Sequence, residues 1–126
     1  MYQRQVSFKE AVERAIMQNY CNFDGRASRS EYWWYVLFNT LLGFAIGIVF
    51  VWSETMMDIV SGVAGLALLL PGLGLAVRRL HDIGKSGWWL LIGLIPLIGA
   101  IILLIWYCKE SQMQPNEYGP VPNMVG

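Results

Sequence analysis

At 126 residues the chain is long enough for one domain. Its 56% hydrophobic and 14% charged side chains, however, set it apart from a soluble domain, where about 25% of residues are charged. Nine basic and nine acidic side chains cancel, so no net positive charge marks a nucleic-acid partner. The charges are also unevenly placed, and Tyr32–Trp52, Ile59–Val77 and Trp88–Cys108 contain none.

Each of these runs has 19 to 21 residues. A helix needs about 20 to cross a hydrocarbon core of ~30 Å. Without water the backbone of each run must bond to itself, which a helix achieves. The sequence therefore predicts an all-α membrane protein forming a single integral membrane domain, with three transmembrane helices at 32–52, 57–77 and 88–108. An amphipathic helix at 7–21 precedes them and a polar tail at 109–126 follows. Residues 1–31 hold nine charges and no apolar core with a cleavage site, so this segment is expected to stay in the mature protein.

In the first helix Phe8, Ala11, Val12, Ala15, Ile16 and Tyr20 share one face. Ser7 with Glu10 has capping-box spacing, and Ser28 with Glu31 repeats it before the first span. Asp24-Gly25 is a turn pair. Within the first span Asn39 is the one strongly polar side chain. Gly43 and Gly47 have the spacing that lets a second helix approach closely, and Ser61, Gly62 and Gly65 offer a matching small face. Pro71 predicts a kink in the second span, and Pro96, between Gly93 and Gly99, one in the third. The six tryptophans, at 33, 34, 52, 88, 89 and 106, fall at the ends of the runs, where indole prefers to sit. The tail carries Pro115, Pro120 and Pro122 and reads as extended and loosely ordered.

Lysine and arginine mark the cytoplasmic side of short loops. Arg4, Lys9, Arg14, Arg26 and Arg29 precede the first span, and Arg78, Arg79 and Lys85 follow the second. Only Lys109 follows the third, a count of eight to one. The N-terminus and the Arg78–Lys85 loop are therefore expected inside, and the 53–58 connection and the C-terminus outside. That placement keeps Cys21 and Cys108 too far apart for a disulfide. One histidine and no cysteine pair at ligand spacing imply neither a metal nor a cofactor.

No nucleophile elbow, metalloprotease motif or phosphate loop is present, so catalysis is not expected. The cluster from Arg78 to Lys85 has two other uses. Arg78, Arg79 and Lys85 can bind an anionic lipid headgroup. Alternatively, the cluster can pair with Glu31 and Arg26 to lock the helix ends. Arg26, Arg29, Arg78, Arg79, His81, Asp82 and Lys85 are the candidate lipid or partner contacts, and Gly43, Gly47, Gly62 and Gly65 the candidate helix-packing positions.

The stretches "FDGRASRSEYWWYVLFN", "AVRRLHDIGKSGWWLLIGLIPLIGAIILL" and "NEYGP" resemble the DUF805 family of small bacterial inner-membrane proteins. The likeness covers roughly residues 23–120, with Ile83 where the family usually has threonine. It implies a multi-pass protein of the bacterial inner membrane and brings no catalytic residues. The expected role is that of a non-enzymatic assembly, scaffold or regulatory partner, in contact with membrane lipids and with a membrane protein or a second copy. A small-solute or ion transporter acting as an oligomer is the alternative, and anionic-lipid binding at the cytoplasmic face a further one.

Overall fold

The computed structural model describes residues 2–20 and 22–125. The chain opens on a two-residue strand, β1 (Tyr2–Gln3), and a short helix, α1 (Phe8–Val12), which widens into a π-helical stretch over Glu13–Gln18. Two long helices follow, α2 (Arg29–Val49) and α3 (Glu54–Asp82). Then come a 3-10 segment at Gly87–Leu94, a helix α4 (Ile98–Tyr107), and a strand β2 (Met124–Val125) that pairs antiparallel with β1.

Serines start these helices. Ser7, Ser28 and Ser53 are extended, and each side-chain oxygen accepts from the backbone N–H three residues on, at Glu10, Glu31 and Met56. This satisfies donors that the first helical turn leaves open. At 1.5 Å per residue, α2 is about 32 Å long and α3 about 44 Å. Both are long and apolar enough to cross a membrane. Only 11% and 22% of their most apolar windows are buried within the protein, whereas the core helix of a soluble fold would be mostly covered. Phe44, Ile48, Val63 and Leu66 all face outward. An apolar surface this extensive needs lipid or a partner against it.

α3 continues without a break through Pro71 to Asp82, so Arg78, Arg79, His81 and Asp82 stand on its last turns. The sequence predicts a span over 57–77 with the arginines at its end, and the structure carries the helix on to Asp82. Pro71 does not end the helix, and it is itself fully buried.

The third apolar run does not form the expected span at 88–108. It folds as a hairpin, out along Gly87–Leu94, around a turn at Ile95–Leu97, and back along α4. The limbs are about 16 Å and 15 Å long at the rises of 3-10 and α-helices, half the thickness of a hydrocarbon core. Pro96 lacks the N–H that a continuous helix would need there, and Leu97 takes a left-handed backbone (φ 63°). The limbs cross closely at Gly99, where a Cβ would overlap the carbonyl oxygen of Ile92. Trp89 and Trp106 meet edge to face across the hairpin, 5.6 Å apart.

Because the hairpin returns, residues 109–125 lie on the same face as the N-terminus, which corrects the expected C-terminus on the opposite side. The tail is ordered as well, against the expectation of a loose extension. The backbone N–H of Gln112 donates to the carbonyl of Asp82 at 3.1 Å, and that of Arg4 to Asn123 at 2.8 Å. The small core sits at this end too, where Ala15, Ala27, Tyr35 and Leu75 pack with Ile16, Tyr32 and Phe38.

A buried arginine–carboxylate junction as the candidate functional site

Two carboxylates, each held by two arginines, organise the charged face. Glu31, in the first turn of α2, accepts from Arg78 Nη1 at 3.1 Å and from Arg14 Nη1 at 3.3 Å. Asp82, at the end of α3, accepts from Arg26 Nε on one oxygen at 3.1 Å and from Arg79 Nη1 on the other at 3.0 Å. The side chains of Arg26, Arg78, Arg79, Glu31 and Asp82 are all nearly or completely removed from solvent. Desolvating so many charges is costly, and the structure offsets it by giving the guanidinium groups further acceptors, although Arg78 Nη2 is buried without one among the described residues.

Most of those acceptors are backbone carbonyls in and around the tail. Arg26 donates to Gln112 at 2.6 Å, Gln114 at 3.0 Å, Gly119 at 3.2 Å and Asp82 at 3.2 Å. Arg79 donates twice to the carbonyl of Tyr107, at 3.2 and 3.3 Å, and also to that of Lys109. Ser111 donates its hydroxyl to Asp82. Arg78 reaches the carbonyl of Asn22 at 3.3 Å. Outside the spans, Arg4 grips both oxygens of Glu10 at 2.8 and 2.9 Å, and these bonds hold the Glu10 carboxyl below its ordinary range.

His81, next to Asp82 on the last turn of α3, has different partners. Its Nδ1 sits 2.9 Å from the carbonyl of Gly25, which can only accept, so the proton is on Nδ1. The ring stacks flat on Tyr118, with centroids 3.9 Å apart. Lys85 rests over the ring of Trp106, 4.7 Å from its centroid. Arg29 donates to the carbonyl of Cys108 at 3.2 Å.

Of the candidate contacts, the structure brings Arg26, Arg78, Arg79 and Asp82 into one junction with Glu31. His81 stands beside it, and Arg29 and Lys85 at its rim. Gly43, Gly47, Gly62 and Gly65 face open space, with nothing within 4 Å of a Cβ built on any of them. Gly43 and Gly65 instead line a crevice of about 300 Å³ between the outer halves of α2 and α3, with Asn39 on one wall and Ser61 on the other. Among the described residues, no three His, Cys, Asp or Glu side chains converge as a metal site requires. Cys108 is a free, exposed thiol, while Cys21 lies outside the described residues.

Arg14, Ser111 and Asn123 also belong to the junction, although sequence reasoning did not select them. Asn123 accepts from Arg14 and donates to Ser28 at 3.0 Å. The signal available was the tail's run of small polar residues, which is too rich in hydrogen-bonding groups for a mere extension.

Two long helices with lipid-facing sides, a returning apolar hairpin and a buried ion-pair junction at one end define a small helical membrane protein. The chain belongs to the family described as "Protein of unknown function (DUF805)", whose pattern matches residues 20–120. It is 39% identical over 108 residues to the inner membrane protein YhaI of Escherichia coli K12, covering 86% of this chain and 92% of that protein. It is 34% identical over 113 residues to the inner membrane protein YhaH of the same organism, covering 86% and 93%. Like them it is an inner-membrane protein. No solved structure matches the chain.

Proposed function

We propose that the protein is a non-enzymatic assembly or regulatory partner within the inner membrane, with both chain ends in the cytoplasm. The observation that carries this reading is how the ionisable groups are used. Glu31, Asp82, Arg26, Arg78 and Arg79 bond to one another and to backbone carbonyls, in a junction that fixes helix ends. Among the surfaces left open is the crevice between α2 and α3, whose glycines admit a close neighbour. The occupant is a helix of a membrane partner or of a second copy.

A photoreactive residue at Ser61, activated in native membranes, tests this. A discrete protein adduct is expected, and it should vanish when Gly43→Ile and Gly65→Ile fill the crevice. The fold of the chain should survive that pair, since both positions open onto empty space. Labelling of lipid alone would sink the proposal. Asn39 and Ser61 in the same crevice favour a competing reading, a solute path shared between copies. Neither spanning segment carries an ionisable side chain at mid-membrane depth, which weakens that reading for charged solutes. Solute flux in proteoliposomes above that of empty vesicles would favour it.

A further inference from the structure

We propose that the α2–α4 side of the molecule binds one anionic phospholipid. Its phosphate lies on Arg29 and Lys109, and its acyl chains lie in two grooves divided by Leu104. The starting observation is an exception. Arg4, Arg14, Arg26, Arg78 and Arg79 each have a carboxylate within 4 Å. Arg29 has none among the described residues, and its one protein acceptor there is the carbonyl of Cys108. That bond occupies a single N–H and leaves the other guanidinium donors free for a phosphate.

Lys109 follows Cys108 directly, is exposed, and has no ion pair among the described residues. Glu110, also exposed, is the next side chain. Two cations against one acid leave a single positive charge, the complement of one phosphodiester.

Beneath this charge the surface is apolar. Tyr32, Trp33 and Val36 of α2 face Leu103, Leu104 and Tyr107 of α4 across a groove of about 380 Å³. On the other flank of Leu104 a second groove of about 420 Å³ runs along Ile101 and Ile105 to Cys108. Both grooves end at the level of Tyr107 and Cys108. The carbonyl of Tyr107 is bound by the indole of Trp33 at 3.1 Å and that of Cys108 by Arg29, which puts the guanidinium at the Cys108 end of the second groove, one residue along the chain from the Tyr107 end of the first. One headgroup with two chains fits this layout. Lys85 differs, because its ammonium is already engaged by the face of Trp106.

Native mass spectrometry of the full chain, released from micelles with equimolar phosphatidylglycerol and phosphatidylcholine, tests the site. One phosphatidylglycerol should be retained in preference. Near a membrane surface each cation contributes ~1 kcal/mol toward an anionic lipid, which converts to roughly fivefold. Arg29→Gln and Lys109→Gln should each lower the ratio of the two adducts by about that factor, and the double variant by roughly twenty-five-fold. Arg29→Lys keeps the charge and should keep most of the preference. Ala100→Phe fills the first groove without changing any charge and should also reduce the phosphatidylglycerol adduct. If Arg29→Gln fails to fold, Lys109→Gln and Ala100→Phe still decide. An unchanged ratio in the folded double variant would overturn the site. So would displacement of the lipid by an equal concentration of glycerol phosphate, since the grooves would then contribute nothing.

Discussion

Glu31 and Asp82 are each shared by two arginines, yet the two sets do not exchange members. Arg78 reaches Glu31, while Arg79, its neighbour in sequence, reaches Asp82. Adjacent positions on a helix point about 100° apart, so one arginine cannot replace the other. This makes a selective test. Glu31→Arg should destabilise the protein by about 3–5 kcal/mol, the usual cost of removing one partner of a buried pair. Arg78→Glu in the same chain should restore part of the loss, because Arg14 would still oppose the new arginine. Arg79→Glu should restore nothing. Unfolding in detergent followed by tryptophan fluorescence would measure all three, and equal rescue by both would refute the assignment. The pair Glu31–Arg78 was legible in the sequence, since antiparallel helices bring the start of one beside the end of the next. The partners of Arg79 at the end of α4 and the start of the tail were not. They are backbone carbonyls of Tyr107 and Lys109, and a carbonyl leaves no trace in residue identity.

At the scale of elements, the hairpin from Gly87 to Tyr107 is where sequence and structure part most. Twenty-one uncharged residues satisfy the length rule for a span, and that rule cannot see a turn. The warning lay at the midpoint, where Gly93, Pro96 and Gly99 interrupt the apolar run. Read as a kink, they suggested a bent helix. The structure shows a reversal, stabilised by the close crossing at Gly99. Gly99→Ala should therefore cost about 1–3 kcal/mol, because the backbone of Ile92 must move to admit the methyl group. Gly93→Ala should be milder, since its Cβ would meet only the flexible end of Leu103, at 3.2 Å. Thermal denaturation of the two variants side by side would show the order, and equal losses would mean that the limbs do not cross there. Capping serines were the other readable feature, and Ser7 and Ser28 start helices where their spacing from Glu10 and Glu31 predicted.

Over the whole molecule, the returning hairpin changes the charge count. Lys109 joins the other eight cations, so all nine lysines and arginines stand at one end. The connection between α2 and α3 has none, only Glu54 and Asp58 near it. Nine to none is a stronger orienting bias than eight to one. A reporter active only in the periplasm should therefore be silent when fused after Gly126 and active when inserted at Ser53. An active C-terminal fusion would restore a third full crossing and sink the hairpin. Sequence reasoning recognised the bias. It put the two chain ends on opposite faces, whereas the structure puts them on one, because one misread segment reverses everything after it.

The junction also has a consequence in time. Chains are made from the N-terminus, so Arg26, Arg79 and Asp82 leave the ribosome well before Gln112, Gln114 and Gly119. Until those residues arrive, charges that end up buried lack many of their acceptors, and they are better left in water. The charged end of the bundle can therefore close only after residues 112–119 have been made.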